Sequence, residues 1–247
     1  MKVLLFDIET AAAKARIWHQ YMKFIPHNMI KEPVKLLMWG AKWLGDDTVT
    51  YSTVWDEGEK ECVLLLHEMM SEADVIVGHN GDGFDIKHMN TFFIKHGIMP
   101  PEPSKTVDTL KVARSRFKFM NNRLDFLGKE LGLGGKQDTG GYELWDDVEA
   151  GKKKAQNKMI DYCCRDVDLL EQVYIKMRPW IKNHPTFVTY EEGAKPECDC
   201  GSTRLIKRGF TTRAGNIYQR YRCKDCGKPL TSTHKVGSKK DNLVKGE

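Results

Sequence analysis

The chain has 247 residues, of which 40% are apolar and 30% charged, a composition that fits one α/β body plus a small module and excludes a disordered or fibrous protein. No apolar run is long enough to span a bilayer and no secretory leader is visible, so the expectation is a cytoplasmic protein whose seven cysteines are thiols or metal ligands rather than disulfides. The net charge of +5 is uneven: residues 191–247 hold 13 Lys/Arg against 7 Asp/Glu and the rest is near neutral, which suits either a polyanionic partner or a merely solubilising tail.

In chain order, Val3 to Phe6 is a short apolar run suited to a buried strand. Asp7 and Glu9 follow two residues apart, so extended backbone sends both carboxylates from one face. Such a pair repels unless a cation lies between, and hard carboxylate oxygens favour magnesium or manganese. Residues 11–33, punctuated by Pro26 and Pro33, read as irregular. Residues 35–44 and 48–54 are β-rich and flank Gly45-Asp46-Asp47, a hairpin pattern. Residues 59–70 have helical apolar spacing, and Val75-Ile76-Val77 reads as a second buried strand. That strand empties into Gly78-His79-Asn80-Gly81-Asp82-Gly83-Phe84-Asp85, followed by a helix to residue 96. Asp108 is a fair N-cap for a helix over 107–116, a short helix spans 123–131, and the longest helical pattern covers 154–180. The pattern predicts an α/β body, residues 1–180, with a mixed sheet flanked by helices.

Three acidic stations stand out: Asp7 with Glu9 at a strand end, Asp85 at a helix start, and Asp166 one turn after Tyr162 on the long helix. Four carboxylates from three segments suit a two-metal phosphodiesterase. Cys163 and Cys164 read as packing residues, and His79 and His88 as structural. Asp161 and Asp168 are expected to be solvated, while Trp18, Phe24 and Trp39 are either core or base-stacking residues.

Taken in order, Phe-Asp-Ile-Glu-Thr, Gly-His-Asn…Phe-Asp and Tyr-x-x-x-Asp resemble the three motifs of DEDD (DnaQ-like) 3′→5′ exonucleases in their tyrosine form. The arrangement is most similar to the exonuclease domain of family B DNA polymerases, with RNase D a more distant relation. This resemblance covers residues 1–180 and implies an RNase H-like fold that hydrolyses single-stranded DNA to nucleoside 5′-monophosphates with two Mg2+ or Mn2+ ions. It implies that Asp7 is shared by both ions, that Glu9 and Asp166 complete one and Asp85 holds the other, and that Tyr162 orients the attacking water. Asn80 matches a substrate-contacting position, with a local turn as the alternative. Asp108 matches a supporting position, with a helix cap as the alternative. Lys136 would neutralise the scissile phosphate unless it is a solvated loop lysine. RNA as substrate and a non-catalytic nucleic-acid adaptor are the competing readings. Proofreading would need a separate DNA polymerase or a replication or recombination partner, and a bacterial or phage source fits the resemblance.

Residues 181–196 read as a linker, 197–230 as a zinc module and 231–247 as a polar tail. Cys198-x-Cys200 and Cys223-x-x-Cys226 supply four thiols for one tetrahedral structural zinc, with His234 as a substitute ligand. The first pair is one residue shorter than the usual Cys-x-x-Cys. Between the pairs, Arg204, Lys207, Arg208, Arg213, Arg220 and Arg222 interleave with Phe210, Tyr218 and Tyr221, a composition suited to phosphate neutralisation and base stacking. The stretch also resembles DNA-binding zinc modules of some transposases.

Overall fold

The apolar run near the N-terminus becomes β1 (Val3–Ala11), the middle strand of a five-stranded mixed sheet. The computed structural model describes residues 1–135, 141–182, 184–185 and 196–238. It comprises two units, Met1–Ile175 and Lys176–Glu247.

In the first unit β1 is followed by a small ribbon of β2 (Lys14–Ala15) and β3 (Ile30–Glu32). Then come β4 (Lys35–Trp43), β5 (Thr50–Thr53), α1 (Val54–Glu57), α2 (Glu59–Glu72), β6 (Val75–Gly78) and α3 (Asp85–Lys95). After these run β7 (Lys105–Asp108), α4 (Thr109–Arg116), α5 (Leu124–Glu130), α6 (Glu143–Glu149) and α7 (Lys153–Met177). The strand order is β5-β4-β1-β6-β7, with β4 and β5 antiparallel and β6 and β7 parallel to their neighbours.

Alternation along β1 divides its side chains between two layers. Leu4, Phe6 and Ile8 enter a core with Leu66 and Met70 of α2 and Met89, Phe92 and Phe93 of α3. On the other face Ala11 and Met38 pack with Leu144 and Val148 of α6 and Met159 and Cys163 of α7. Asp7 and Glu9 share the parity of Ala11, so they point toward the layer that holds α7. Trp39 is a core residue, 1% exposed, and its indole N–H donates to the Cys62 carbonyl at 2.6 Å.

Several elements depart from the sequence reading. Residues 105–108 form the edge strand β7 instead of starting a helix at 107, because Thr106 and Val107 pair with Ile76 and Val77. The short helix α6 and the β2–β3 ribbon were not expected. In the second unit β8 (Leu205–Arg213), β9 (Asn216–Cys223) and β10 (Pro229–Ser238) form an antiparallel sheet in the order β10-β9-β8. The expected polar tail is therefore a paired strand through Ser238, while most of the expected linker lies outside the described residues. No helix among the described residues is long and apolar enough to cross a membrane.

Candidate active site and cysteine cluster

The acidic site is built where β6 stops short of β1. The parallel ladder registers Leu5 with Val77, β6 ends at Gly78, and β1 continues to Ala11. Beyond that point the Ile8 N–H has no β6 partner in register and donates to Asp85 Oδ1 at 3.2 Å. The buried first residue of α3 is thereby tied to the residue between Asp7 and Glu9. The loop from β6 to α3 is tight: a Cβ on Gly78 would lie 2.9 Å from the Gly81 Cα. Asn80 takes a left-handed conformation at φ 69°, and its carbonyl accepts from the Gly83 and Phe84 N–H groups at 2.9 Å each. The turn is thus closed by the main-chain carbonyl of Asn80, and the residue is exposed. Asp108 caps α4 by accepting from Leu110 and Lys111, and the same oxygen accepts from the Asn80 N–H at 3.0 Å. One carboxylate thus braces both the helix and the loop that leads to Asp85.

The third station arrives on α7. Gly40 of β4 lies opposite Asp7, and a Cβ there would come within 3.1 Å of Cys163 Sγ and 3.3 Å of Val167 Cγ2. Glycine at this place is what lets α7 sit so close to the sheet. The Cys163 thiol donates to the Asp7 carbonyl across 3.9 Å. Carboxylate oxygens of Asp7 and Glu9 and the Cys163 sulfur all lie within 4.8 Å of one another. Burial, followed by the negative charge of Asp7 and Glu9, pushes the Cys163 thiol well above its ordinary range. Sulfur is a soft donor, so the hard carboxylate oxygens of Asp7 and Glu9 are the better partners for a magnesium-type cation. Asp166 is buried one turn after Tyr162 and is near enough to weigh on the same thiol. Tyr162 rests edge-on against Trp145 of α6, with ring centroids 6.1 Å apart. The oxygen donors of Asp7, Glu9, Asp85 and Asp166 suit a magnesium- or manganese-type ion.

Neighbouring residues have structural employment. His79 bonds the Thr109 hydroxyl and the Asn122 carbonyl, each at 2.9 Å. Asp161 is exposed as expected, but Asp168 is not simply solvated, since it accepts from Lys42 Nζ at 2.9 Å. The same ammonium donates to Glu171 at 2.7 Å, and Glu171 also accepts from the Gly45 N–H. Burial pulls Lys42 down, but the hydrogen bonds to Glu171 and Asp168 outweigh it and hold the ammonium above its usual range. Sequence reasoning missed this clamp between β4 and α7, as it missed Gly40. Lys136 lies outside the described residues.

In the second unit the sulfurs of Cys198, Cys200, Cys223 and Cys226 lie within 4.8 Å of one another. The Cys198–Cys226 and Cys200–Cys223 separations are 3.6 and 3.7 Å, far longer than a disulfide. Sulfurs about 2.3 Å from a tetrahedral zinc would be about 3.8 Å apart, so the four fit that ion. The shorter first pair is accommodated: its turn closes with the Gly201 N–H donating to the Cys198 carbonyl at 2.8 Å. His234 is exposed on β10 and does not belong to this cluster. Burial raises Cys223, but hydrogen bonds from the Cys226 backbone, Ser202 and the adjoining thiols overturn that and bring it to about 7.

The basic residues of this module do not form one surface. Strand register places Arg213, Tyr218, Arg220, Arg222 and Lys235 on one face, and Lys207, Phe210 and Tyr221 on the other. Arg208 lies in the bulge between Lys207 and Phe210, which Gln219 staples by donating to the Gly209 carbonyl at 2.8 Å. Arg204 is paired with Asp225, and Lys228 with Asp199.

Comparison with known proteins places this geometry. Residues 31–178, more than half of the chain, match the RNase_H superfamily (family RNase_H_2), in a range that begins after Asp7 and Glu9. An alignment 143 positions long, covering 53% of this chain and 10% of the other protein, shows 31% identity to the DNA polymerase III PolC-type of Pediococcus pentosaceus. The family B DNA polymerase of the archaeon Pyrobaculum calidifontis is similar in fold, with a TM-score of 0.54 at 18% identity over 72% of this chain and 25% of the polymerase. The chain thus spans only a small part of either polymerase. Superfamily membership, together with the clustered acids, supports a nuclease. With its mixed sheet centred on β1, the chain belongs to the RNase H superfamily.

Proposed function

We propose that the chain is a metal-dependent 3′→5′ exonuclease that acts mainly on single-stranded DNA and releases nucleoside 5′-monophosphates. The observation that carries this reading is the convergence of three segments at one end of β1: Asp7 with Glu9, Asp85 through the Ile8 amide, and the Tyr162–Asp166 turn of α7 through Cys163. Similarity to two proteins named as DNA polymerases supports DNA over RNA.

Divalent cations held by Asp7, Glu9, Asp85 and Asp166 would supply Lewis-acid neutralisation of the phosphate. A phenol with a pKa near 10 stays protonated at neutral pH, so Tyr162 serves as a hydrogen-bond partner that orients water. Packing against Trp145 limits the directions in which its hydroxyl can point. The water oxygen bonds to the terminal phosphorus and the 3′-oxygen of the penultimate nucleotide leaves, taking up a proton. Asn80 would contact the strand being cut, a role supported by its exposure on the loop before Asp85. Lys136 keeps its proposed role at the phosphate. The four-cysteine module, with one structural zinc, adds affinity for nucleic acid through Arg213, Arg220 and Arg222, with Lys207, Arg208 and Arg204 in lesser roles. A separate polymerase or other replication protein is the proposed partner, and the cytoplasm the proposed location.

The test is digestion of end-labelled single-stranded DNA, duplex DNA and RNA with magnesium or manganese. A 3′→5′ ladder on single-stranded DNA, lowered about 1,000-fold or more by Asp7→Ala with DNA binding retained, is expected. No ladder with either metal, or an Asp7→Ala protein as active as the parent, would overturn the reading; faster loss of RNA would reassign the substrate.

A further inference from the structure

One surface near the site is used by nothing described so far. Beyond Glu9 the antiparallel pairing of β1 with β4 continues into the β2–β3 ribbon: Ala11 pairs with Lys35, Lys14 with Glu32, and Ala15 with Ile30. The Arg16 N–H donates to the Met29 carbonyl at 3.0 Å and closes the ribbon at its base. Residues between them form a loop that displays Trp18 at 84%, Tyr21 at 95% and Phe24 at 76% exposure, with Ile17 and Ile25 beside them. Three such rings present roughly 400–600 Å2 of aromatic surface. Five large apolar side chains exposed between residues 17 and 25 are a concentration rather than the scattered single exposures of an ordinary surface, and such concentrations mark interaction sites.

Charge says what the surface is for. From Thr10 to Lys31 there is no acidic residue, while Arg16, Lys23 and Lys31 are basic, Lys14 is engaged by Glu149 and Glu32, and His19 lies between Trp18 and Tyr21 in the sequence. Arg16, Lys23 and Lys31 are exposed. A hydrophobic protein partner would not require that bias, whereas a strand of stacked bases on a phosphate backbone matches both the rings and the cations. The neighbouring Asp7, Glu9, Asp85 and Asp166 repel a polyanion, and a basic platform adjoining them offsets that repulsion. Arg16 is seven residues beyond Glu9, hence at most about 23 Å away along extended backbone. That distance lies within the several nucleotides such platforms grip.

We propose that the Lys14–Glu32 ribbon and its loop are a binding subsite for single-stranded DNA, in which Trp18, Tyr21 and Phe24 stack on successive bases upstream of the nucleotide being removed. It rests on the hydrolase reading for its place relative to the scissile bond, but its binding chemistry stands alone. The subsite lets the protein hold the strand between cleavage events, so the same side chains set both affinity and the number of nucleotides removed per encounter.

The test is equilibrium binding, by fluorescence anisotropy with no added magnesium or manganese so that the strand is not cut, of the full zinc-loaded chain to an oligothymidylate of about 16 nucleotides. Trp18→Ala/Tyr21→Ala/Phe24→Ala is expected to weaken binding at least about thirtyfold, and Trp18→Phe/Tyr21→Phe to retain most of it. Arg16→Glu/Lys23→Glu should lower the slope of log K against log salt by about 1.4. The substituted side chains are exposed, and an unchanged melting temperature checks that each variant is folded. Unaltered affinity in the triple variant, or an unaltered salt slope in the charge variant, overturns the proposal and leaves the patch to a protein partner. The hydrolase reading has its own readout in wild-type cleavage of p-nitrophenyl thymidine 5′-phosphate with Mn2+, a substrate too short to reach the loop. Silence there alongside lost binding in the triple variant sinks the hydrolase reading and leaves the DNA subsite standing.

Discussion

Gly40→Ala probes how finely α7 is set against the sheet. Its backbone is in an ordinary strand conformation, so alanine is not excluded on dihedral grounds. The added methyl would sit 3.1 Å from Cys163 Sγ, 3.3 Å from Val167 Cγ2 and 3.5 Å from Val49 Cγ1. Restoring normal contact requires α7 to retreat by roughly half an ångström. Overpacking of this kind costs about 1–3 kcal/mol, and the lower chain entropy of alanine returns about 0.4–1 kcal/mol, leaving a net loss of about 1–2 kcal/mol. The larger effect falls on turnover, because Tyr162 and Asp166 move with Cys163 and Val167. A misplacement of about 1 Å can cost about 100-fold, so half of that predicts about a tenfold fall in kcat with little change in KM. The assay is steady-state digestion of labelled single-stranded DNA together with a thermal melt. Adding Cys163→Ala to Gly40→Ala removes the nearer clash and should recover most of the lost turnover, a positive coupling in a double-mutant cycle. A Gly40→Ala protein with parental kcat, or a double variant in which the two losses simply add, would show that the helix position is not set by this contact.

Other outcomes follow from the same structure. Lys42→Met leaves Glu171 largely buried without its ammonium, and urea unfolding should show a loss of about 2 kcal/mol, between the values for exposed and buried pairs; an unmoved midpoint would mean that water already screens the clamp. Replacing Cys223 and Cys226 with serine should reduce bound zinc from about one ion per chain to none and make residues 196–238 protease-sensitive, and undiminished zinc by elemental analysis would refute the four-cysteine site. His184 is lowered to about 4, chiefly by burial, with Lys228 and Arg178 adding to the shift and its bond to the Pro185 carbonyl opposing it. Between pH about 6.5 and about 4 the unfolded chain therefore binds a proton that the folded chain refuses, so stability falls as the pH is lowered through that window, by at most about 3 kcal/mol. His184→Gln should flatten that dependence relative to the parent, and parallel pH profiles for the two proteins would contradict it.

The placement of the acids in the first unit was legible because they follow strongly patterned elements. Val3 to Phe6, Val75 to Val77 and the long stripe of α7 each announce their period, and Asp7, Asp85 and Asp166 hang from them. The β7 strand was hidden by its own end: Asp108 is a good helix cap, and that signal drew the expected helix back over Val107. In α6 only Leu144 and Val148 mark the buried side, too short a pattern to stand out. β10 was lost because Thr231-Ser232-Thr233-His234-Lys235 reads as polar loop until its pairing with β9 is known. Which basic side chains share a face depends on the bulge after Lys207, and composition carries no register. For the same reason Trp18 and Trp39 looked alike in the sequence, yet one is displayed to water and the other lies in the core.

The two-sided strand at the centre of the sheet has an evolutionary and cellular corollary. Its even positions from Leu4 to Ile8 are grease, and the charge sits on odd ones, so sliding the strand by a single residue would thrust Asp7 and Glu9 among Leu66, Met70 and Phe92 while stranding Phe6 and Ile8 on the acidic side. Such a mispaired chain is at once unstable and chemically inert. On the proposed function, competence to cut would then depend on the same register as correct assembly.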